Sequence, residues 1–265
     1  MRILTSLGLL PAPVHLGFAA SSRVKYNFTS DWRLFVGDAK AVQASSFDDN
    51  DWKPITTPHA WNEDEAFLVD IANLSTGIAW YRKNFKLPSS ATGKKVFLEF
   101  EGIRHSGEFY LNGNWIGRIA ARIDNSWNYH EVSTGSTYQW SDKNLYANYG
   151  GINKNVYLHV ADRLYQTLPL YSHLGTTGVY VYPSKIDDAR TTSITAESQV
   201  WNEYNSSKLL GYRVEVSNAS SKVIKSFNGA HYTLQPNETR IIAASSVLLD
   251  LNFWGWGWGW GYGYL

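Results

Sequence analysis

Thr76–Gly117 reads TGIAWYRKNFKLPSSATGKKVFLEFEGIRHSGEFYLNGNWIG, and the fold is decided here. Ile78 to Phe85 mixes aromatic and polar residues by turns. Val96 to Phe100 is an apolar run closed by Gly102, and Glu108 to Leu111 runs into Asn112-Gly113 and then Trp115-Ile116. Asn-Gly between two apolar runs is a strong hairpin signal, because a type I′ turn needs positive φ at both central residues. The stretch therefore predicts three strands in a row, with Leu111 beside the Trp115-Ile116 strand, in the middle of a β-sheet.

The whole chain has 265 residues, enough for one large β domain or two smaller ones, and 44% of them are hydrophobic, enough for a buried core. A net charge of +1, with acids and bases evenly mixed, argues against the basic face that nucleic acid requires. The 12 Trp and 17 Tyr suit a sandwich core and also suit stacking on sugar rings; the core reading is favoured for most of them. Cysteine is absent, which excludes disulfides and thiolate zinc sites. The seven His are scattered without an i, i+4 pair. Neither a Gly-x-Ser-x-Gly elbow nor a phosphate-binding glycine loop occurs. No cofactor or metal is expected. The acid-rich run Phe47-Asp48-Asp49-Asn50-Asp51-Trp52 lacks the Gly and distant Glu of a calcium loop and reads as a turn.

Met1 to Ala20 reads as a secretory leader, with Arg2 as the charged start, Ile3 to Leu10 as the apolar stretch and Phe18-Ala19-Ala20-Ser21 as a small-residue cleavage region. It is too short and too interrupted to span a membrane. A periplasmic or secreted location follows as an expectation. From Asp162 onward the pattern becomes evenly spaced short strands. Gly178 to Tyr182 is one, Ile194, Ala196, Ser198 and Val200 share a face of the next, and Leu210, Tyr212, Val214 and Val216 alternate strictly. Val223 to Phe227 and Arg240 to Leu249 complete the set. Period two with turn clusters between predicts a second β-sandwich.

Several motifs in the first half, in order, carry a resemblance. They are Phe47-Asp-Asp-x-x-Trp52, Pro58-His59-x-Trp61, Gly77-Ile78-x-Trp80-Tyr81-Arg82-Lys83-x-Phe85, Phe100-Glu-Gly102 with Leu111-Asn-Gly113-x-x-x-Gly117, and Asp124-Asn125-Ser126 with Tyr149-Gly150-Gly151-Ile152-x-x-x-Val156. Together they resemble the amino-terminal sugar-binding domain of glycoside hydrolase family 2, of the β-galactosidase type. The resemblance implies an all-β chain: a jelly-roll, galactose-binding-like sandwich over 23–162, then an immunoglobulin-like sandwich over 163–253. In the family a catalytic barrel follows, and this sequence stops short of it. Two departures stand out. Only Ile119 to Ile123 lie where relatives carry roughly two strands, so the first sandwich is shortened and leaves an edge unpaired. The end, 254–265, repeats Trp-Gly and puts four Trp and two Tyr on one face of an extended strand. That face is either a stacking platform for sugars or an aggregation-prone surface.

Carried over from the family, Asp142, Lys143, Asn144 and Asn148 in the loop Tyr138–Tyr149 are the candidate carbohydrate-binding residues, and Asn62 after Trp61 joins them. An ordinary surface loop is the plainer reading of each. The partner implied is a β-galactoside or other carbohydrate, with no nucleic acid or membrane. Homo-oligomeric assembly is common in the family. Cleaving a glycoside with retention needs two carboxyl groups about 5 Å apart. In the family both are glutamates of the barrel, so no catalytic residue is assigned here, and weak or no hydrolysis is expected from this chain. Glu203 in Trp201-Asn202-Glu203 mimics the family's acid/base motif but reads as structural. Glu99 and Glu101 share a strand face that solvation explains, and Glu63-Asp64-Glu65 is an acidic loop without a matched partner. The alternatives are a stand-alone carbohydrate-binding protein, a hydrolase using some other carboxylate pair, and a gene product without selected activity.

Overall fold

The computed structural model describes residues 23–62, 77–104, 106–119, 150–169, 172, 174–185, 191–218 and 220–249, together with the backbone of Arg2–Leu9 and Ala19–Ala20. The chain divides into two units: one is Val24–Val160, the other Met1–Arg23 with Ala161–Leu265. Nineteen strands account for almost all regular structure, and one 3-10 turn at Ser89–Ala91 is the exception among the described residues. In chain order they are β1 (Arg2–Leu9), β2 (Ala19–Ala20), β3 (Val24–Asn27), β4 (Trp32–Val36), β5 (Lys53–Ile55), β6 (His59–Ala60), β7 (Ala79–Arg82), β8 (Lys95–Phe100), β9 (Ile103–Arg104) and β10 (Gly107–Leu111). They continue as β11 (Asn114–Ile119), β12 (Gly151–Ile152), β13 (Val156–Ala161), β14 (Leu164–Gln166), β15 (Val179–Ser184), β16 (Thr192–Asn202), β17 (Lys208–Ser217), β18 (Val223–Leu234) and β19 (Thr239–Leu248). No sheet among them closes on itself; the chain is all-β.

In the unit Val24–Val160 the sheets run β3-β13-β8, β5-β4-β7 and β6-β12-β9. They close over a core of Phe28, Trp32, Leu34, Ile55, Ile152, Val156 and Leu158, with Val96, Leu98 and Phe100 packed against it. The core is aromatic at its edge, where Phe28 meets Phe85 edge-on at 4.8 Å between ring centres. Asn112 and Gly113 take φ of 51° and 83°, as the hairpin turn requires. Tyr110 faces Trp115 and Leu111 faces Asn114, with a bulge at Phe109/Tyr110. One expectation is corrected. The hairpin β10–β11 pairs only with itself among the described strands, and Leu111, Trp115 and Ile116 are 42%, 59% and 52% exposed, so it is not the middle of a sheet. Alternation marks a strand, but the neighbours that would bury its faces are not written in the strand itself.

In the other unit, β18-β17-β1-β2 form one sheet, and β16, with β14 and β15 on one side and β19 on the other, forms the second. Between them lie Ile194, Ala196, Val200, Leu210, Tyr212, Val214, Val216, Leu234, Ile242 and Leu248. The two alternating runs are buried on the expected faces: β16 buries every second residue from Thr192 to Asn202. β18 is longer than its apolar start suggested, running on through Gly229 to Leu234 against β17. The segment expected to be a leader contributes an eight-residue strand, β1, paired antiparallel along β17 from Arg2↔Ser217 to Leu9↔Leu210.

Candidate functional site

Two of the quoted motifs, Pro58-His59-x-Trp61 and Gly150-Gly151-Ile152, meet at the small sheet β6-β12-β9. Gly151 and Ile152 pair with Ala60 and His59 on one side and with Arg104 and Ile103 on the other. Consecutive residues then grip Gly150: Trp61 N–H donates to its carbonyl at 2.9 Å, and Asn62 Oδ1 accepts its N–H at 2.9 Å. Asn62 is 1% exposed. From the neighbouring strand, Tyr81 OH donates to His59 O at 2.8 Å.

The glycines of this knot are required by rings that cross the backbone. A Cβ on Gly150 would stand 2.3 Å from Trp61 Nε1, and one on Gly151, whose φ is +109°, would stand 2.1 Å from the Tyr81 hydroxyl. Gly150-Gly151 is therefore a close approach of backbone and aromatic rings at the start of β12. The neighbouring Arg82 points to the opposite side of β7, as period two dictates. There its Nε meets Asp49 Oδ2 at 3.0 Å, both side chains being largely buried. Its Nη1 donates to Val42 O at 2.8 Å and to Ala44 O at 3.0 Å, and Nη2 donates to Ser45 O at 3.2 Å. The acid run is thus a turn, as expected, with Asn50 N–H donating to Asp48 Oδ1 at 3.1 Å. Its second acid is consumed by Arg82, a pairing that strand alternation hints at and that only the fold reveals.

Asn62 is the last residue described before 63–76, and Gly150 is the first after 120–149. Their 2.9 Å bond joins the residue before the acid-rich stretch of sequence to the residue after the polar one. Asp142, Lys143, Asn144 and Asn148 lie outside the described residues, as do Glu63, Asp64 and Glu65 and the Trp-Gly end. Asn62 is placed by the fold as the buried acceptor in that bond.

The described glutamates weighed as catalytic candidates, Glu99, Glu101 and Glu203, are each hydrogen-bonded. Glu99 Oε2 accepts from Lys25 Nζ and from His159 Nε2, both at 2.8 Å, and Lys25 lies 3.6 Å above the Tyr157 ring. Burial pushes the Glu99 carboxyl up, but the hydrogen bonds from Lys25 and His159 outweigh it and hold the group below its usual range. An acid that sheds its proton so readily is unsuited to protonate a leaving group near neutral pH. Glu101 accepts from Asn155 Nδ2 at 3.1 Å. Glu203 accepts from the buried Tyr165 OH at 2.9 Å, and burial first, then this bond, raises the Tyr165 phenol. Its neighbour Asn202, fully buried, donates to Ser206 O, Leu234 O and Gln235 O at 3.0, 3.1 and 3.0 Å and accepts from Tyr204 N. Asn202-Glu203 is a strand-end fastener, as its context suggested. Among the described residues no group of three His, Asp or Glu could hold a metal ion, and no helix is long and apolar enough to cross a membrane.

No family model matches the chain. It is 31% identical over 240 residues to a β-glucuronidase of Formosa agariphila, covering 79% of this chain and 24% of that protein. It is 28% identical over 189 residues to a β-galactosidase of Bacteroides ovatus, covering 63% of this chain and 21% of that protein. Among solved structures it superposes on a β-glucuronidase from glycoside hydrolase family 2 with a TM-score of 0.75 and 26% identity, over 89% of this chain and 28% of that one. The chain spans about a quarter of the length of the curated relatives it matches.

Proposed function

Because the chain belongs to glycoside hydrolase family 2, we propose that its two sandwiches are the front, carbohydrate-facing part of a β-glycosidase acting on terminal β-galactosides or β-glucuronides. The second sandwich is taken as the immunoglobulin-like module of that family, and the chain as exported to the periplasm or beyond. The observation that carries the reading is the Asn62–Gly150 fastening. It joins the residue that precedes 63–76 to the one that follows 120–149, and the latter stretch of sequence holds Asp142, Lys143, Asn144 and Asn148, which we take to form a sugar-binding rim. Hydroxyl-rich ligands are recognised by such convergent polar groups beside aromatic rings, and loops on a rigid scaffold are where these groups sit. In this reading Asn62 acts on the sugar only by holding the rim, while Lys143 offers the charge that a glucuronide carboxylate would need.

Hydrolysis is assigned to residues other than those described. Glu99, Glu101 and Glu203 are occupied by Lys25 and His159, by Asn155 and by Tyr165 respectively, so none stands ready as a nucleophile with a matched acid. The test has two arms. Titration calorimetry with lactose, galactose and glucuronate on the 265-residue chain is expected to give saturable heat that Lys143→Ala and Asn144→Ala abolish. Nitrophenyl β-galactoside and β-glucuronide are expected to turn over weakly or not at all. Turnover lost on changing Glu99, Glu101 or Glu203 would overturn the reading, as would the absence of heat with every sugar.

A further inference from the structure

β17 is one of the two inner strands of its sheet. On one side it pairs with β18 from Lys208↔Leu234 to Ser217↔Val223. On the other, among the described strands, it pairs with β1 over all eight residues of that strand. Its inward side chains Leu210, Tyr212, Val214 and Val216 are 0%, 0%, 1% and 0% exposed and form the middle of the core. In register, Leu9, Leu7, Thr5 and Ile3 stand opposite those four residues. Among the described strands, β1 is the one that the ladder on that side of β17 runs to, so removing it takes that ladder away.

The segment that fills this place has the composition of an export leader. An apolar run with a charged start fits both a leader and an inner strand, because both ask for apolar residues. A strand-accepting edge binds chiefly through main-chain hydrogen bonds, with alternate side chains adding selectivity, so it tolerates an occupant joined to the rest by a cut or uncut link.

We infer that the β17 edge is a strand-binding site whose occupant is Arg2–Leu9, so that keeping this segment closes the second sandwich and removing it opens the edge. The inference rests on the β1–β17 register and not on carbohydrate binding, and the two can fail separately.

The experiment uses the full chain with a specific protease site inserted between Ala12 and Pro13. After cutting under native conditions, the released peptide is expected to co-elute with the remainder in gel filtration. It is expected to separate only when mild denaturant is added. Amides of β17 that face β1 stay protected from hydrogen exchange while the peptide is present and lose protection, by at least about tenfold, once it has been washed away. Adding back synthetic peptide Arg2–Leu9 restores the protection, and a scrambled peptide of the same composition does not. A peptide that elutes alone without denaturant overturns the inference. So does unchanged β17 protection after its removal, which would mean that a second copy or another segment holds the edge. In the uncut chain Ser6→Pro, which places a proline in the middle of the β1 ladder opposite Arg213, is expected to raise β17 exchange in the same residues. Exchange equal to the parent chain in that variant counts against the inference independently.

Discussion

Asn62→Ala tests the fastening on which the proposed rim depends. The substitution deletes the oxygen that accepts the buried Gly150 N–H at 2.9 Å, while Trp61 N–H still holds the Gly150 carbonyl. A buried donor left without a partner costs about 1–3 kcal/mol, and removing a side chain that is 1% exposed adds a small cavity. The sum, about 2–3 kcal/mol, raises the unfolded fraction of this unit by roughly 30- to 150-fold, since each 1.4 kcal/mol is about a factor of ten. Urea unfolding followed by tryptophan fluorescence should show the first unit's midpoint fall with its m-value unchanged, and Gly150 should lose amide protection. Asn62→Asp separates the oxygen from the amide. It keeps an acceptor of the same size but places a carboxylate where almost no solvent reaches, so burial raises its proton affinity in the folded chain. A raised folded pKa gives stability that is present below the unfolded value of about 3.9 and is lost as pH rises, so this variant should lie near the parent at acid pH and well below it at neutral pH. If Asn62→Ala shifts stability by less than about 0.5 kcal/mol and leaves Gly150 protected, another group accepts that N–H, and the fastening argument is wrong.

Other consequences are sharp enough to measure. Gly151→Ala should destabilise the first unit by more than about 2 kcal/mol, since its Cβ would sit 2.1 Å from the Tyr81 hydroxyl at a φ of +109°. Tyr81→Phe in the same chain should recover part of that loss by removing the oxygen, so the pair is less than additive in a double-mutant cycle. Arg82→Met strands the Asp49 carboxylate and three carbonyls and should cost about 3 kcal/mol, the lower end for a broken buried pair because both side chains keep some exposure; adding Asp49→Asn should restore part of it. In the second sandwich the hydrogen bond to Asp162, and then burial, push the Tyr204 phenol up to about 12. Such a raised value means stability complete below the unfolded pKa of about 10 and lost as pH climbs toward the folded one, so this unit should weaken in that alkaline window. Tyr204→Phe should flatten the decline and remove one late phenolate absorbance step.

The second sandwich was legible because its strands are buried on one face only. Ile194, Ala196, Ser198 and Val200 had to share that face, and they do, at 3% exposure or less. Asn112-Gly113 was legible for a different reason, a backbone conformation that few residue pairs tolerate. Arg2–Leu9 was ambiguous in principle: a short apolar run fits an export leader and a strand alike, and its register along β17 is visible only in the fold. The Glu99–His159–Lys25 cluster and the Arg82–Asp49 hub were invisible for want of a distance in sequence. Glu99 and His159 lie 60 positions apart, and nothing local ties them.

The motifs that carried the family resemblance turn out to do one kind of work. Trp61, Tyr81, Arg82, Gly102, Gly150 and Gly151 hold backbone to backbone or let a neighbouring side chain pass close to the chain. Each position admits few alternatives, because a Cβ at Gly102 would meet Lys154 Cγ at 2.5 Å, and a shorter side chain at Arg82 would reach none of its four partners. Residues that touch a sugar face no such steric demand; a loop can offer an Asp, an Asn or a Lys from many backbone shapes. A chain can therefore announce its scaffold through spaced glycines and aromatics while leaving its ligand to residues with no obligatory pattern. That asymmetry is why the motifs mark the family and the all-β scaffold, and why the proposed sugar ligands are tested by titration with Lys143 and its neighbours changed, not read from the sequence.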